Sequence, residues 1–388
     1  MLSRRSAHDP RPNALTVALA KARDAGAPVL DLTVSNPTTA GIPYAADAIT
    51  GAFSDARSLV YSPEPFGLLS ARAAVAAYVA PSVEPSRILL TASTSEAYAF
   101  LFKLLCDPGD AILVPQPSYP LFEHLATFEA VRVVPYPLRY DGEWHIDLPA
   151  LRTAIDPTTR AIVVVTPNNP TGSFLKKDEL AALAATGLPL LSDEVFARYP
   201  FGDDPRRAAS ILEARDASPL VFALGGLSKL AALPQMKLAW TQIAGADGRL
   251  VAQTLERLEL IADSFLSVGT PVQYALPALL AARSLAQDAI RARTATNLAW
   301  LKHRLAASPG PTTLLRCEGG WYATLRLPRT QSEEAWVLSF LERDLVYVHP
   351  AAFFDFPDEA YVVLSLLTPE NAFAEGTSRL LSRVESSC

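Results

Sequence analysis

Lys229 closes the segment Gly225-Gly226-Leu227-Ser228-Lys229, which follows an apolar run from Leu220 to Leu224 that reads as a strand. A lysine held just past a strand end, beside a hydroxyl and flexible glycines, could form a Schiff base with a carbonyl instead of serving as a solvated cation. Most lysines are surface charges, so the case rests on what else reaches the same place. Ser93, Thr94 and Ser95 precede an apolar helical stretch. They offer hydroxyls and free N–H groups at a positive dipole end, which suits a phosphate or an ordinary helix cap. Tyr119, set among prolines, presents a stiffly held ring that could stack on a flat heterocycle or pack within its loop. Asn169 stands in the turn Asn169-Pro170-Thr171-Gly172 with its amide toward the same edge. Asp193 either caps the next segment or is a buried carboxylate facing a cationic ring nitrogen, which is favourable only when paired. Lys237 would add a second charge for a phosphate.

The elements that must position these residues alternate. Short apolar runs end at Thr91, Val114, Val165, Ser192 and Leu224, with helix-like segments between them, including Glu96 to Leu105 and Asp178 to Ala185. Strands alternating with helices predict an α/β domain with a mainly parallel sheet. Ligands of such sheets bind beyond the carboxyl ends of the strands, where these polar motifs fall. After Gly269-Thr270-Pro271 the spacing predicts a long helix through about Leu305. Short strands (312–316, 321–327, 346–348 and 361–366) then alternate with helices near 332–343 and 369–383. This reads as a smaller α+β domain, completed by the N-terminal arm with its helix capped by Asn13.

With 388 residues, two domains are the expectation. Net charge −6 without a basic stripe argues against nucleic acid or an anionic membrane. No apolar stretch approaches a membrane span, and the start does not read as a signal peptide. The 3 cysteines (Cys106, Cys317, Cys388) are far apart, which points to reduced thiols in a cytoplasm. The 5 histidines, His8 among them, show no ligand spacing, and no metal is expected.

An anion cradle, a stacking ring, a carboxylate and an activated lysine together fit pyridoxal 5′-phosphate (PLP). No Gly-x-Gly-x-x-Gly and no Gly-Lys-Ser/Thr supports a nucleotide instead. The ordered set Tyr61…Gly67…Arg72, Thr91-Ala92-Ser93-Thr94-Ser95-Glu96-Ala97, Ser118-Tyr119-Pro120, Asn168-Asn169-Pro170-Thr171-Gly172, Asp193-Glu194-Val195 and Ser228-Lys229 resembles the class I/II aminotransferases. That resemblance covers nearly the whole chain and implies a type I PLP fold. Its large domain, here 41–280, would hold a mainly parallel seven-stranded sheet; the arm would be 1–40 and the small domain 281–388. It implies that Lys229 forms the internal aldimine and shuttles a proton, and that Asp193 meets the pyridine nitrogen. Asn169 would meet the ring hydroxyl and Tyr119 stack on the ring. Ser93, Thr94, Ser95, Ser228 and Lys237 match phosphate-side positions, and Tyr61 a tyrosine reaching the neighbouring subunit of a homodimer.

Departures from the family pattern concern the substrate. Phe196 replaces a usual tyrosine, Gly226 a common serine, Lys237 an arginine, and Val363 the arginine that clamps a substrate carboxylate. Either another cation takes that role, with Arg326 or Arg316 as candidates, or the substrate lacks a free α-carboxylate or has it held by backbone donors and water. Asn36 is a further substrate-side candidate, and His349 lies on the substrate-side loop. The expected activity is an aminotransferase moving an amino group between an amino acid or related amine and an oxo acid. A C–S/β-lyase or cyclising synthase is the alternative, and a non-enzymatic PLP-binding regulator a remoter one.

Overall fold

The computed structural model describes residues 2–7, 11–79, 83–308, 310–358 and 360–387; His8 and Cys388 lie outside them. In chain order the strands are β1 (Leu30–Asp31), β2 (Ile88–Thr91), β3 (Ala111–Gln116), β4 (Arg132–Tyr140), β5 (Trp144–Ile146), β6 (Thr159–Val165), β7 (Leu190–Asp193), β8 (Val221–Gly226), β9 (Ala239–Ala244), β10 (Thr313–Leu314), β11 (Tyr322–Arg326), β12 (Val346–Tyr347), β13 (His349–Pro350) and β14 (Tyr361–Ser365).

The large sheet has eight strands in the order β2-β9-β8-β7-β6-β3-β4-β5. From β4 to β8 along this order the pairs are parallel. Strand β9 runs antiparallel between β8 and β2. The strand beyond the expected seven is β5, which folds back on β4 through Leu138↔Ile146 and Tyr140↔Trp144. The central strands are apolar throughout because both faces are covered. Ile112, Val163, Leu191 and Phe222 pack with the helix Thr94–Leu105. Leu113, Ile162, Leu190 and Val221 face the other way, with the helix Lys177–Ala184. The long helix expected through Leu305 is two, Thr270–Ala282 and Ser284–Ala307. At the junction the Arg283 guanidinium takes the Leu280 carbonyl, a side-chain intrusion of the kind that interrupts helices.

The second sheet, β10-β11-β14-β13, is antiparallel. Ala323, Leu325, Val362 and Leu364 point into a core shared with Trp336, Phe340 and Phe373, and Leu15, Leu19 and Leu32 of the N-terminal segment join it. Strand β1 pairs parallel with β12 through Leu30↔Val346. Alternation along β11 and β14 therefore turns Tyr322, Thr324, Val363 and Ser365 to the opposite face, with His349 beside Val363. That face meets the large sheet, since Tyr322 lies 6.2 Å from Phe196 between ring centres.

Candidate active site

Strand β8 ends at Gly226, and the one-turn helix Leu227–Leu230 follows at once. Gly226 pairs with Ala239, and a Cβ on it would lie 3.1 Å from the Ala239 Cβ, so the close β8–β9 approach explains a glycine here. The short helix delivers Lys229, whose carbonyl accepts a 2.6 Å hydrogen bond from the Tyr199 hydroxyl. Its Nζ lies 5.6 Å from the centre of the Phe196 ring and 5.1 Å from that of Trp321. Burial pushes the Lys229 ammonium below its ordinary pKa, and Asp193 is the charge that opposes this.

Asp193 ends β7. Burial lifts its carboxyl to about 6, offset by a 3.1 Å bond from the Val195 N–H and by the charge of Lys229. No cation lies within ion-pair distance of it among the described residues. The next residue, Glu194, points to the other face of the sheet. There it accepts bonds from Ser210 Oγ and the Ile211 N–H, and burial lifts it to about 7.

The paired asparagines divide their work. Asn168 is a tie: its Nδ2 donates to the Pro117 carbonyl and to Thr171 Oγ1, both at 3.0 Å. Its Oδ1 accepts from Ser118 Oγ at 3.3 Å. Asn169, 7% exposed, leaves its buried Oδ1 without a partner. The Tyr119 loop is fixed from both sides, by Asn168 and by the Ser118 N–H donating to the Phe354 carbonyl at 3.0 Å. Tyr119 itself remains 41% exposed.

At the start of the helix Thr94–Leu105, Ser93 is the cap, accepting from the Glu96 N–H at 3.1 Å. The cap reading of this motif is seen at Ser93. Ser93 closes the helix, while the hydroxyls of Thr94, Ser95 and Ser228 carry no hydrogen bond among the described residues. Lys237 is exposed and left-handed (φ 50°) beside Leu238, whose carbonyl accepts from the Leu227 N–H at 3.0 Å.

The other expected residues separate. Tyr61 is 79% exposed, on the rim of a pocket with Leu90, Phe100 and Leu266. Asn36 is exposed, and its Oδ1 closes a turn on the Thr38 N–H and hydroxyl. Burial lifts the Tyr322 hydroxyl to about 12, and nearby Ser35, not Asn36, opposes this. Arg326 is exposed at the far end of β11, opposite Tyr361 and Thr313 and about 13 Å along the strand from Tyr322. Arg316 is bound to Glu143 at 3.0 Å. Val363 is buried between Thr324 and His349, and burial lowers the His349 pKa.

Sequence reasoning did not reach Tyr199, Trp321 or Tyr322. Their only signal was a tyrosine after Asp193-Glu194 and aromatic neighbours after Gly319-Gly320. Together with Phe196 and Phe354 they make the cleft wall aromatic.

These residues fit PLP. The orphaned amide oxygen of Asn169 and the cation-less Asp193 are buried polar groups that call for partners from a bound molecule. The unengaged hydroxyls sit at a helix start suited to a phosphate. The description "Aminotransferase class I and II" matches residues 27–372. The chain belongs to that family. Its cofactor is PLP, and its fold is that of the type I PLP-dependent proteins. Among relatives, S-alkyl-thiohydroximate lyase of Arabidopsis thaliana is 32% identical over 249 residues, 61% of this chain and 52% of that protein. This chain thus spans about half the length of that relative. Mouse tyrosine aminotransferase is 27% identical over 371 residues, 91% of this chain and 80% of that protein. Among solved structures, alanine aminotransferase from Pyrococcus furiosus superposes with a TM-score of 0.87 at 23% identity, each chain being covered over 100%.

Proposed function

We propose that Lys229 moves the proton at the centre of an amino-group transfer between an amino acid or related amine and an oxo acid. Asp193, Asn169 and Tyr119 hold the cofactor ring, and Thr94, Ser95, Ser228 and Lys237 its phosphate. The observation that carries this reading is the desolvated Lys229 amine, placed between Phe196 and Trp321 and opposed by an otherwise unpaired carboxylate. Pyridoxal phosphate, when bound, supplies a carbonyl for a primary amine and a ring that draws electrons from the carbon bearing it. Burial favours the neutral Lys229 amine, the form that attacks a carbonyl and accepts a proton. With the group bound, Lys229 Nζ would be the base that takes the proton from the substrate Cα and holds it for return. Asp193 would face the ring nitrogen and favour its protonated form, and Asn169 would orient the ring.

The small-sheet wall is the substrate side. Tyr322, Thr324, Val363, Ser365 and His349 include no guanidinium or ammonium group, and burial favours neutral His349. Thr324 Oγ1 and Trp321 Nε1 are buried without partners and can donate to an acid or carbonyl group. An aromatic or other apolar amino donor fits this wall, as the tyrosine aminotransferase relative suggests.

The lyase relative favours a second reading, elimination at the same lysine. A single-turnover panel of amino compounds separates them. Loss of the bound aldehyde absorbance with release of an oxo acid supports transfer. Ammonia release with that absorbance retained supports elimination.

The working enzyme is proposed to be a homodimer in which Tyr61 reaches the neighbouring phosphate site. Leu59, Val60, Tyr61, Leu69 and Leu266 form the exposed apolar surface it would bury. The division into 1–40, 41–280 and 281–388 follows the same proposal. So does a cytoplasmic location, with Cys106 and Cys317 as free thiols.

A further inference from the structure

Tyr78, on the helix Leu69–Val79, stands at the centre of a group of arginines away from the cofactor cleft. The guanidinium carbons of Arg198 and Arg283 lie 5.3 and 5.0 Å from the centre of its ring. Arg198 Nε donates to the Tyr78 hydroxyl at 2.9 Å. Arg291 Nε donates to the Arg198 backbone carbonyl at 2.9 Å, and Arg291 lines the same cavity as the other two arginines. These side chains, with Pro277 and Gln287, line a cavity of about 590 Å³.

The charges there do not balance. Asp288 is the acid in the group, 3.1 Å from Arg291 and largely exposed. Neither Arg198 nor Arg283 has a carboxylate within ion-pair distance among the described residues. In a chain of net charge −6, a pocket with this excess of cations is a local reversal of sign. Like charges held close repel unless an anion sits among them, and guanidinium groups bind flat or tetrahedral oxyanions through paired N–H bonds. Tyr78 and the bonds between these groups fix their placement before any ligand arrives.

The pocket also lies close behind Lys229. Gln287, 7% exposed, donates from Nε2 to the Leu230 carbonyl at 3.2 Å. Tyr199, next to Arg198, holds the Lys229 carbonyl. None of the pocket's lining residues belongs to the cofactor site.

We propose that Arg198, Arg283 and Arg291 form a second ligand site, for a small oxyanion: a phosphate group or a dicarboxylate. The test uses the enzyme loaded with cofactor, so that its own phosphate site is filled, and titrates inorganic phosphate and succinate separately by calorimetry at low ionic strength. Saturable binding of either anion is expected. The variant Arg198→Gln/Arg283→Gln should weaken it at least 10-fold, with cofactor absorbance and amino transfer in buffer free of phosphate and succinate unchanged. Arg283→Lys, which keeps the charge, should retain part of the affinity and guards against a loss caused by misfolding. Tighter binding of phosphate or of succinate identifies the source of the anion. Equal affinity in wild type and double variant, or no saturable binding of either anion, overturns the proposal.

Discussion

A carboxylate buried without a cation is costly, and Asp193 is in that position whenever no ring nitrogen faces it. Its pKa, lifted from 3.8 to about 6, means that the folded chain holds a proton the unfolded chain has released between those values. Stability from this group is therefore full below pH 4 and lost as pH rises through 6. Cofactor-free Asp193→Asn should be more stable than wild type at pH 8, by on the order of 3 kcal/mol, and by only about 1 kcal/mol at pH 4.5. Thermal melts at the two values check this, and a gain equal at both would show that burial of charge is not the cause. With cofactor present the order reverses, because the cationic nitrogen then compensates the carboxylate. Asp193→Ala should lower turnover by about 10²-fold or more and loosen the cofactor, measured by turnover and by dialysis. Phe196 and Trp321 act on Lys229 in a different way, by excluding water from its amine.

Placement of the wall residues is the work of elements, and one ion pair does much of it. Lys176 and Glu318 meet at 2.5 Å with side chains only 7% and 5% exposed. Glu318 also accepts from the Phe174 N–H at 3.1 Å. This pins the segment entering β11 to the turn after Asn169, where a Cβ on Gly172 would lie 2.4 Å from Cys317 Sγ and leaves room for glycine alone. Trp321 and Tyr322 follow directly. Glu318→Ala should cost about 3–5 kcal/mol by stranding the Lys176 charge, and Lys176→Met in addition should restore much of it, read by denaturant melts. Neither residue carried a sequence signal, because their partnership spans a distance in the chain that no local pattern records. The strand ends were legible, since apolar runs followed by Ser93-Thr94-Ser95, Asn169, Asp193 and Lys229 show in single-sequence periodicity. Strands β4 and β5 were not, because Pro135 and Pro137 break the look of a strand. They are tolerated where β4 has only β3 beside it: β5 pairs only with Leu138 to Tyr140. How far Arg326 stands along β11 from Tyr322 could not be read from residue type alone, because the sequence does not show which end of the strand meets the large sheet.

At the scale of the whole molecule, the two sheets meet with the aromatic wall between them, and the arm segment Leu15 to Leu32 is folded into the second core. The single chain leaves Leu59, Val60 and Tyr61 in solvent, 88%, 63% and 79% exposed. In the proposed homodimer they would be buried against a second copy, with Tyr61 reaching the neighbouring site. Sedimentation should find a dimer, and Leu59→Glu/Val60→Glu should shift it toward monomer with weaker cofactor retention. A monomeric wild type with full activity would remove Tyr61 from the site.

The central claim is that Lys229 is the lysine joined to the cofactor. Borohydride reduction of the loaded enzyme, followed by proteolysis and mass spectrometry, should place the cofactor's mass on the peptide containing Lys229. Lys229→Ala should show no covalent label. Label found on Lys237 or another lysine, or undiminished in Lys229→Ala, would contradict the account.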